Sequence, residues 1–236
     1  EQLEIIEKLD KKLNREEIKV VELNNGAYIE YYRTTYPHNQ DQLFKDDWYE
    51  NTFVDYNRVG AEEIIFVGFD DIKIKDLNQE IKLNYENCLK SITYKEGNEE
   101  MYLREFDIVN YDIFENDDII SIIESTKHVL YEAGGGPYQY RIFNIDKNNG
   151  KLLENSELMI HYDDMSDNIV NTLIKLGYKD ANGMQEINEE GLYFNSSEAL
   201  MNDESLIYKK EGQWMMIVKL NIYGSGLYYK EIMIEQ

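Results

Sequence analysis

Hydrophobic residues recur along this chain with two different periods, and the switches between them mark out its elements. Leu3, Ile6, Leu9 and Leu13 stand close to a helical stripe within residues 1–14, with Glu and Lys elsewhere. A lead helix packed on the body is expected there, or a linker helix leading from a lost anchor. Residues 16–36 read as two strands about Asn25-Gly26, a dipeptide suited to the left-handed backbone of a tight hairpin. The second strand runs from Ala27 to Tyr36 and stops where Pro37 punctuates the chain. Residues 37–58 are polar and aromatic and read as a long excursion. The run EEIIFVGF (62–69) is apolar enough for a central strand. In DIKIKD (71–76), Ile72 and Ile74 alternate with Lys73 and Lys75, the pattern of a half-buried strand. Asp76 and Gln79 then resemble a capping box with Asp76 as N-cap, and Leu77, Ile81, Tyr85 and Cys88 follow on one helical face.

Further along, strands near 101–112, 118–132 and 137–146 form an expected three-stranded meander, the last two joined through Gly134-Gly135-Gly136-Pro137. Asn149-Gly150 marks the next tight turn. Ile169, Val170, Leu173 and Ile174 make a helical stripe between a candidate N-cap, Ser166, and a candidate C-cap, Gly177. From Trp214 to Tyr223 the chain alternates with period two, apolar on both faces, and a turn at Gly224-Ser225-Gly226 leads into a last strand ending near Ile234. The predicted class is α+β, with mainly antiparallel sheets and two to three packed helices. The predicted organisation is a lead helix or linker over 1–15 and one two-lobed domain over 16–236, with lobes of about 16–115 and 116–236.

Composition narrows the function. With 24 basic and 47 acidic residues the formal net charge is −23, while 42% of residues are hydrophobic and 13% aromatic. Such a chain folds, because it can bury a core. Its charge excludes nucleic acid, whose binding draws affinity from clustered Lys and Arg, and docking on anionic membrane surfaces. The single cysteine, Cys88, excludes an intramolecular disulfide and is expected to pack in the core. No apolar run is long enough to span a membrane. The chain opens at Glu1, which leads us to expect that an upstream segment, a signal peptide or an anchor, has been removed.

Chemistry is sparse. His38, His128 and His161 show no metal-ligand spacing, and His161 near Asp163-Asp164 reads as an acidic loop; His128 reads as a packing residue in a strand. No metal site and no cofactor are expected. Asp146-Lys147-Asn148-Asn149-Gly150 fails the calcium-loop register, since Gly falls at position five rather than six, and reads as a hairpin. The three glycines at 134–136 lack the Lys and Ser/Thr of a phosphate loop, and Ser225 lacks the flanking glycines of a nucleophile elbow. Among 47 acids some pair will meet by chance, so a carboxylate-pair hydrolase is neither indicated nor excluded. Residues 105–126 and 180–204 each carry seven acids and no Lys or Arg. They are solvated faces, or a field that steers a basic partner, a role that 20 tyrosines would suit at an interface.

From about residue 76 a family pattern emerges. DLNQEIKLNYENCL (76–89), YEAGGGPYQYRIFNID (131–146), KNNGKLLENSEL (147–158), GLYFNSSEAL (191–200) and WMMIVKLNIYGSGLYYKEIMI (214–234) follow in order. This order resembles the extracytoplasmic domain pair of RsiV-type lysozyme-sensing anti-sigma factors and PdaC-type secreted deacetylases, over roughly residues 60–236. Where that family carries Ala-His after two glycines, this chain has Gly136-Pro137, so the histidine has no counterpart. No deacetylase segment is expected after this domain, and that activity is not implied. What the resemblance implies is a bacterial, extracytoplasmic, secreted or anchored recognition or sensor module of the cell envelope. It would bind protein without catalysis, its partner a basic muramidase such as lysozyme. A cell-wall glycan-binding module is the alternative, and a hydrolase with an unrecognised carboxylate pair the third. The expected contact surface is Tyr131, Gly134, Gly135, Gly136, Pro137, Tyr138 and Tyr140.

Overall fold

The structure, a computed structural model, describes residues 14–35, 60–92, 105–130, 134–135, 138–154, 157–158, 171–172, 175, 179–180, 192–194, 206–222 and 226–234. The chain divides into two compact units, residues 1–111 with 125–139 and residues 112–124 with 140–236.

In the first unit, β1 (Asn14–Glu22), β2 (Tyr28–Thr35) and β3 (Gly60–Val67) form an antiparallel sheet in that order. The β1–β2 hairpin turns where expected. Gly26 takes φ 86°, Asn25 Oδ1 accepts the Ala27 N–H, and Leu23 and Ala27 close the loop between their backbones. A register shift between Glu17 and Lys19 leaves Ile18 as a bulge in β1. Although EEIIFV reads as a central strand, β3 ends the three-strand order. Its apolar character serves the helix α1 (Ile72–Ile92) packed against it.

The helix starts earlier than its sequence pattern indicates. Residues 72–75 are its first turn rather than a strand, and Asp71, not Asp76, is the N-cap. Asp71 Oδ1 accepts the Lys73 N–H at 2.9 Å, and its carbonyl accepts the Lys75 N–H. Ile72 is 66% exposed whereas Ile74 is fully buried, so the apparent alternation was one buried and one solvated position. Ile74, Leu77, Ile81 and Cys88 then make the buried stripe. Asn78 Oδ1 accepts the Phe66 N–H of β3, and the Tyr85 hydroxyl meets Thr34 Oγ1 of β2 at 2.7 Å.

The meander is present. β4 (Glu105–Glu115), β5 (Ile119–Leu130), β7 (Gln139–Asp146) and β8 (Leu152–Leu153) lie in that order, with β6 (Gly134–Gly135) paired to β5. Asp146 shapes the β7–β8 turn by accepting from the Asn148 N–H and Asn149 Nδ2. The third sheet contains β11 (Leu206–Lys210), β12 (Gln213–Ile222), β10 (Leu192–Phe194) and β9 (Lys179–Asp180), with β13 (Gly226–Met233) also on β12. Its pairings are antiparallel except β9 with β10. The β11–β12 turn places both Glu211 and Gly212 at positive φ.

The fold is thus mostly β, and the α+β expectation with two to three packed helices is overturned: α1 is the one helix whose full span lies among the described residues. Asn171, Thr172 and Lys175 are helical, but the rest of the predicted second helix lies outside the described residues, as do the 1–13 stripe and the 37–58 excursion. No helix among the described residues is long and apolar enough to cross a membrane.

Buried polar side chains fasten the sheet edges. In the first unit, Glu62 of β3, 5% exposed, accepts from the Tyr31 hydroxyl, from Arg33 Nε at 2.7 Å and from the Tyr111 N–H of β4 at 2.8 Å. In the second, Asn144 Nδ2 donates to the Ile207 carbonyl, Ser121 Oγ accepts the Lys209 N–H, and Asn116 Nδ2 donates to the Lys209 carbonyl. Asn116 Oδ1 also accepts the Gly212 N–H. Glu62→Ala would orphan two side-chain donors and one backbone N–H and is expected to cost about 3 kcal/mol. Asp71→Ala, which removes only the helix cap, is expected to cost about 1 kcal/mol. Urea unfolding followed by circular dichroism should order the two variants that way.

Candidate functional site

Strand periodicity builds one recess in the second unit. Asp112 and Phe114 of β4, Tyr208 and Lys210 of β11, and Tyr229 and Glu231 of β13 are each spaced by two, so each pair points to one face of its strand. Ile123, Tyr140 and Ile217 complete a pocket of about 240 Å³. Ile123, Tyr208 and Ile217 are buried together as its floor, with Phe114, Tyr140 and Tyr229 packed against them. Phe114 stacks on Tyr208 at 5.5 Å between ring centroids, and Tyr140 meets Tyr229 edge-on at 4.9 Å.

The rim is charged. Lys210 Nζ lies 3.3 Å from Glu231 Oε1 and 5.2 Å from the centre of the Phe114 ring. The same Glu231 oxygen accepts the hydroxyl of the buried Tyr208. Burial first, then the Glu231 hydrogen bond and charge, and lastly the charge of Asp112, push the Tyr208 phenol well above the usual tyrosine range. The arrangement provides an apolar, ring-walled socket with two carboxylates and one ammonium at its mouth.

The sequence-based contact surface is only partly drawn into this site. Tyr140 lines the recess. Tyr138 does not, and stands 38% exposed with Lys127 Nζ 5.2 Å from its ring centre. Gly134 and Gly135 pair with Leu130 and Val129 as β6. Tyr131, Gly136 and Pro137 lie outside the described residues, as do His38, His161, Asp163 and Asp164. Asp112, Phe114, Tyr208, Lys210, Tyr229 and Glu231 were missed. Their one shared signal is an aromatic and a charged residue two apart, repeated as DIF, YKK and YKE in three strands.

Several other charged groups are structural. Within the acidic 105–126 stretch, Glu124 is buried and takes Arg141 in a two-pronged pair at 2.7 and 3.0 Å. Burial works to raise the Asp118 carboxyl, but hydrogen bonds from Lys209 and from backbone N–H groups outweigh it and hold the group below the usual range. His128 is not a packed residue. Its side chain is 44% exposed, with Nδ1 2.7 Å from Asp107. Cys88 is buried.

A phenol raised in the folded state adds stability that is complete below the unfolded value near 10 and is lost as pH rises through the folded value. The unfolding free energy should therefore fall above about pH 10, and Tyr208→Phe should make that fall shallower. In a spectrophotometric titration of the 20 tyrosines, the late-ionising fraction should shrink in the same variant. Compared with protein-family models and with curated proteins, the chain matches none.

Proposed function

We propose that this chain is a non-enzymatic recognition or sensor module that works outside the cytoplasm and binds a strongly basic protein, a muramidase such as lysozyme. The observation that carries the reading is the net charge of −23, combined with a ring-walled recess whose mouth bears Asp112 and Glu231. Like charge would repel polyanions, whereas a cationic partner would be drawn in at an accelerated rate. Aromatic walls then supply contact area at low entropic cost once the partner arrives. The resemblance of residues 60–236 to a lysozyme-sensing domain pair points to the same partner.

Calorimetry with a cationic muramidase tests this directly. Binding is expected at low salt and should weaken by roughly tenfold or more on raising salt from 50 to 200 mM, as exposed charges are screened. Absence of binding at both salt concentrations removes the muramidase, and sedimentation of the chain with purified peptidoglycan would favour a glycan module instead.

One observation favours a second reading, hydrolysis by a carboxylate pair: Asp112 and Glu231 line the same recess. That reading expects release of soluble fragments from peptidoglycan, lost in both Asp112→Asn and Glu231→Gln. No release by the parent chain disposes of it.

A further inference from the structure

We propose that the recess between β4, β5, β7, β11, β12 and β13 is a receptor for a single arginine side chain of the basic partner. The inference rests on the recognition reading above and names the site at which it acts.

Size comes first. A pocket of about 240 Å³ lies below the ~300 Å³ at which sites for whole small molecules begin, so its natural occupant is one side chain or a similar fragment. Its layers match a long cationic side chain. Ile123 and Ile217 floor it, Phe114, Tyr140 and Tyr229 wall it, and Asp112 and Glu231 stand at the mouth. An aliphatic stem would lie on the apolar layer while its head reaches the carboxylates.

The recess already holds a cation in this manner. Lys210 sets its ammonium at 3.3 Å from Glu231 Oε1 and over the face of Phe114. Both Tyr208 and Lys210 engage that one oxygen, and among the described residues Oε2 of Glu231 makes no hydrogen bond. Oε2 is the acceptor left for an incoming donor. The Tyr208 hydroxyl, anchored in the core, holds the carboxylate in position for it. A planar guanidinium suits the site better than a second ammonium, since it packs flat on rings, spreads its charge away from Lys210 and is less tightly hydrated. Lys210 thereby competes in part with the partner for the same carboxylate.

The test titrates the full chain with N-acetyl-arginine amide, N-acetyl-lysine amide and N-acetylglucosamine by NMR, in parallel with the muramidase calorimetry. The arginine amide should bind in the millimolar range and more tightly than the lysine amide, with no binding by the sugar. Glu231→Gln, an exposed rim position, should weaken it about tenfold. Lys210→Met should tighten it by up to about fivefold, a gain that a merely structural lysine would not give. Unchanged arginine affinity in Glu231→Gln overturns the proposal, as does equal or tighter binding of lysine amide or sugar. The two readings separate cleanly. Muramidase binding that is equal in the parent chain and Glu231→Gln sinks the recess but leaves the partner, whereas arginine binding without muramidase binding sinks the partner but leaves the recess.

Discussion

A strand at the end of a sheet carries a row of backbone N–H and C=O groups with no neighbouring strand, and burying such a row without partners costs several kcal/mol. Among the described residues this chain forms three small sheets and so has many such rows. It meets the constraint with side chains. Glu62 reaches the Tyr111 N–H of the end strand β4, while Asn116, Ser121 and Asn144 take the outward groups of Ile207 and Lys209 on the end strand β11. Among the described residues these side chains are four of the few buried polar ones, and each is used. The alternation of β11 follows from it: residues 207 and 209 turn their backbone to the polar seam, and Tyr208 is thereby aimed into the recess.

What was legible in the sequence was local. Asn25-Gly26 announced a hairpin because the left-handed turn needs Gly there, and Leu77, Ile81 and Cys88 announced a helix face by spacing alone. The start of the helix was obscured because Ile72 and Ile74 fit period two, and the deciding contact is a side-chain bond from Asp71 that no hydropathy pattern carries. β3 read as central because the run EEIIFVGF is apolar, but cover by α1 gives an end strand the same composition.

The recess was the least legible feature. Its nine lining residues come from six strands spread between positions 112 and 231, so no window of the chain contains it. Tyr140 entered the expected contact surface through its closeness to the glycine run, not through any signal of its partners. β11 carries two of the lining residues, yet LIYKK is too short to show a period. The acidic stretch 105–126 likewise looked uniform, although its members differ sharply: Glu124 is spent on Arg141, Asp118 holds Lys209, and Asp112 faces the recess.

The bulge at Ile18 bears on how this chain behaves in a crowd of its own copies. β1 lies at the end of its sheet and shows Ile18 and Val20 to solvent, 39% and 42% exposed, the sort of surface on which a foreign strand can grow. The register shift between Glu17 and Lys19 breaks the ladder at Ile18, the first of those apolar positions. An incoming strand in regular register can follow β1 on one side of the break only, over a few residues flanked by Glu16, Glu17 and Glu22. A single extra residue therefore works as a stop against fibril-like stacking, and it does so without removing any apolar side chain from the strand.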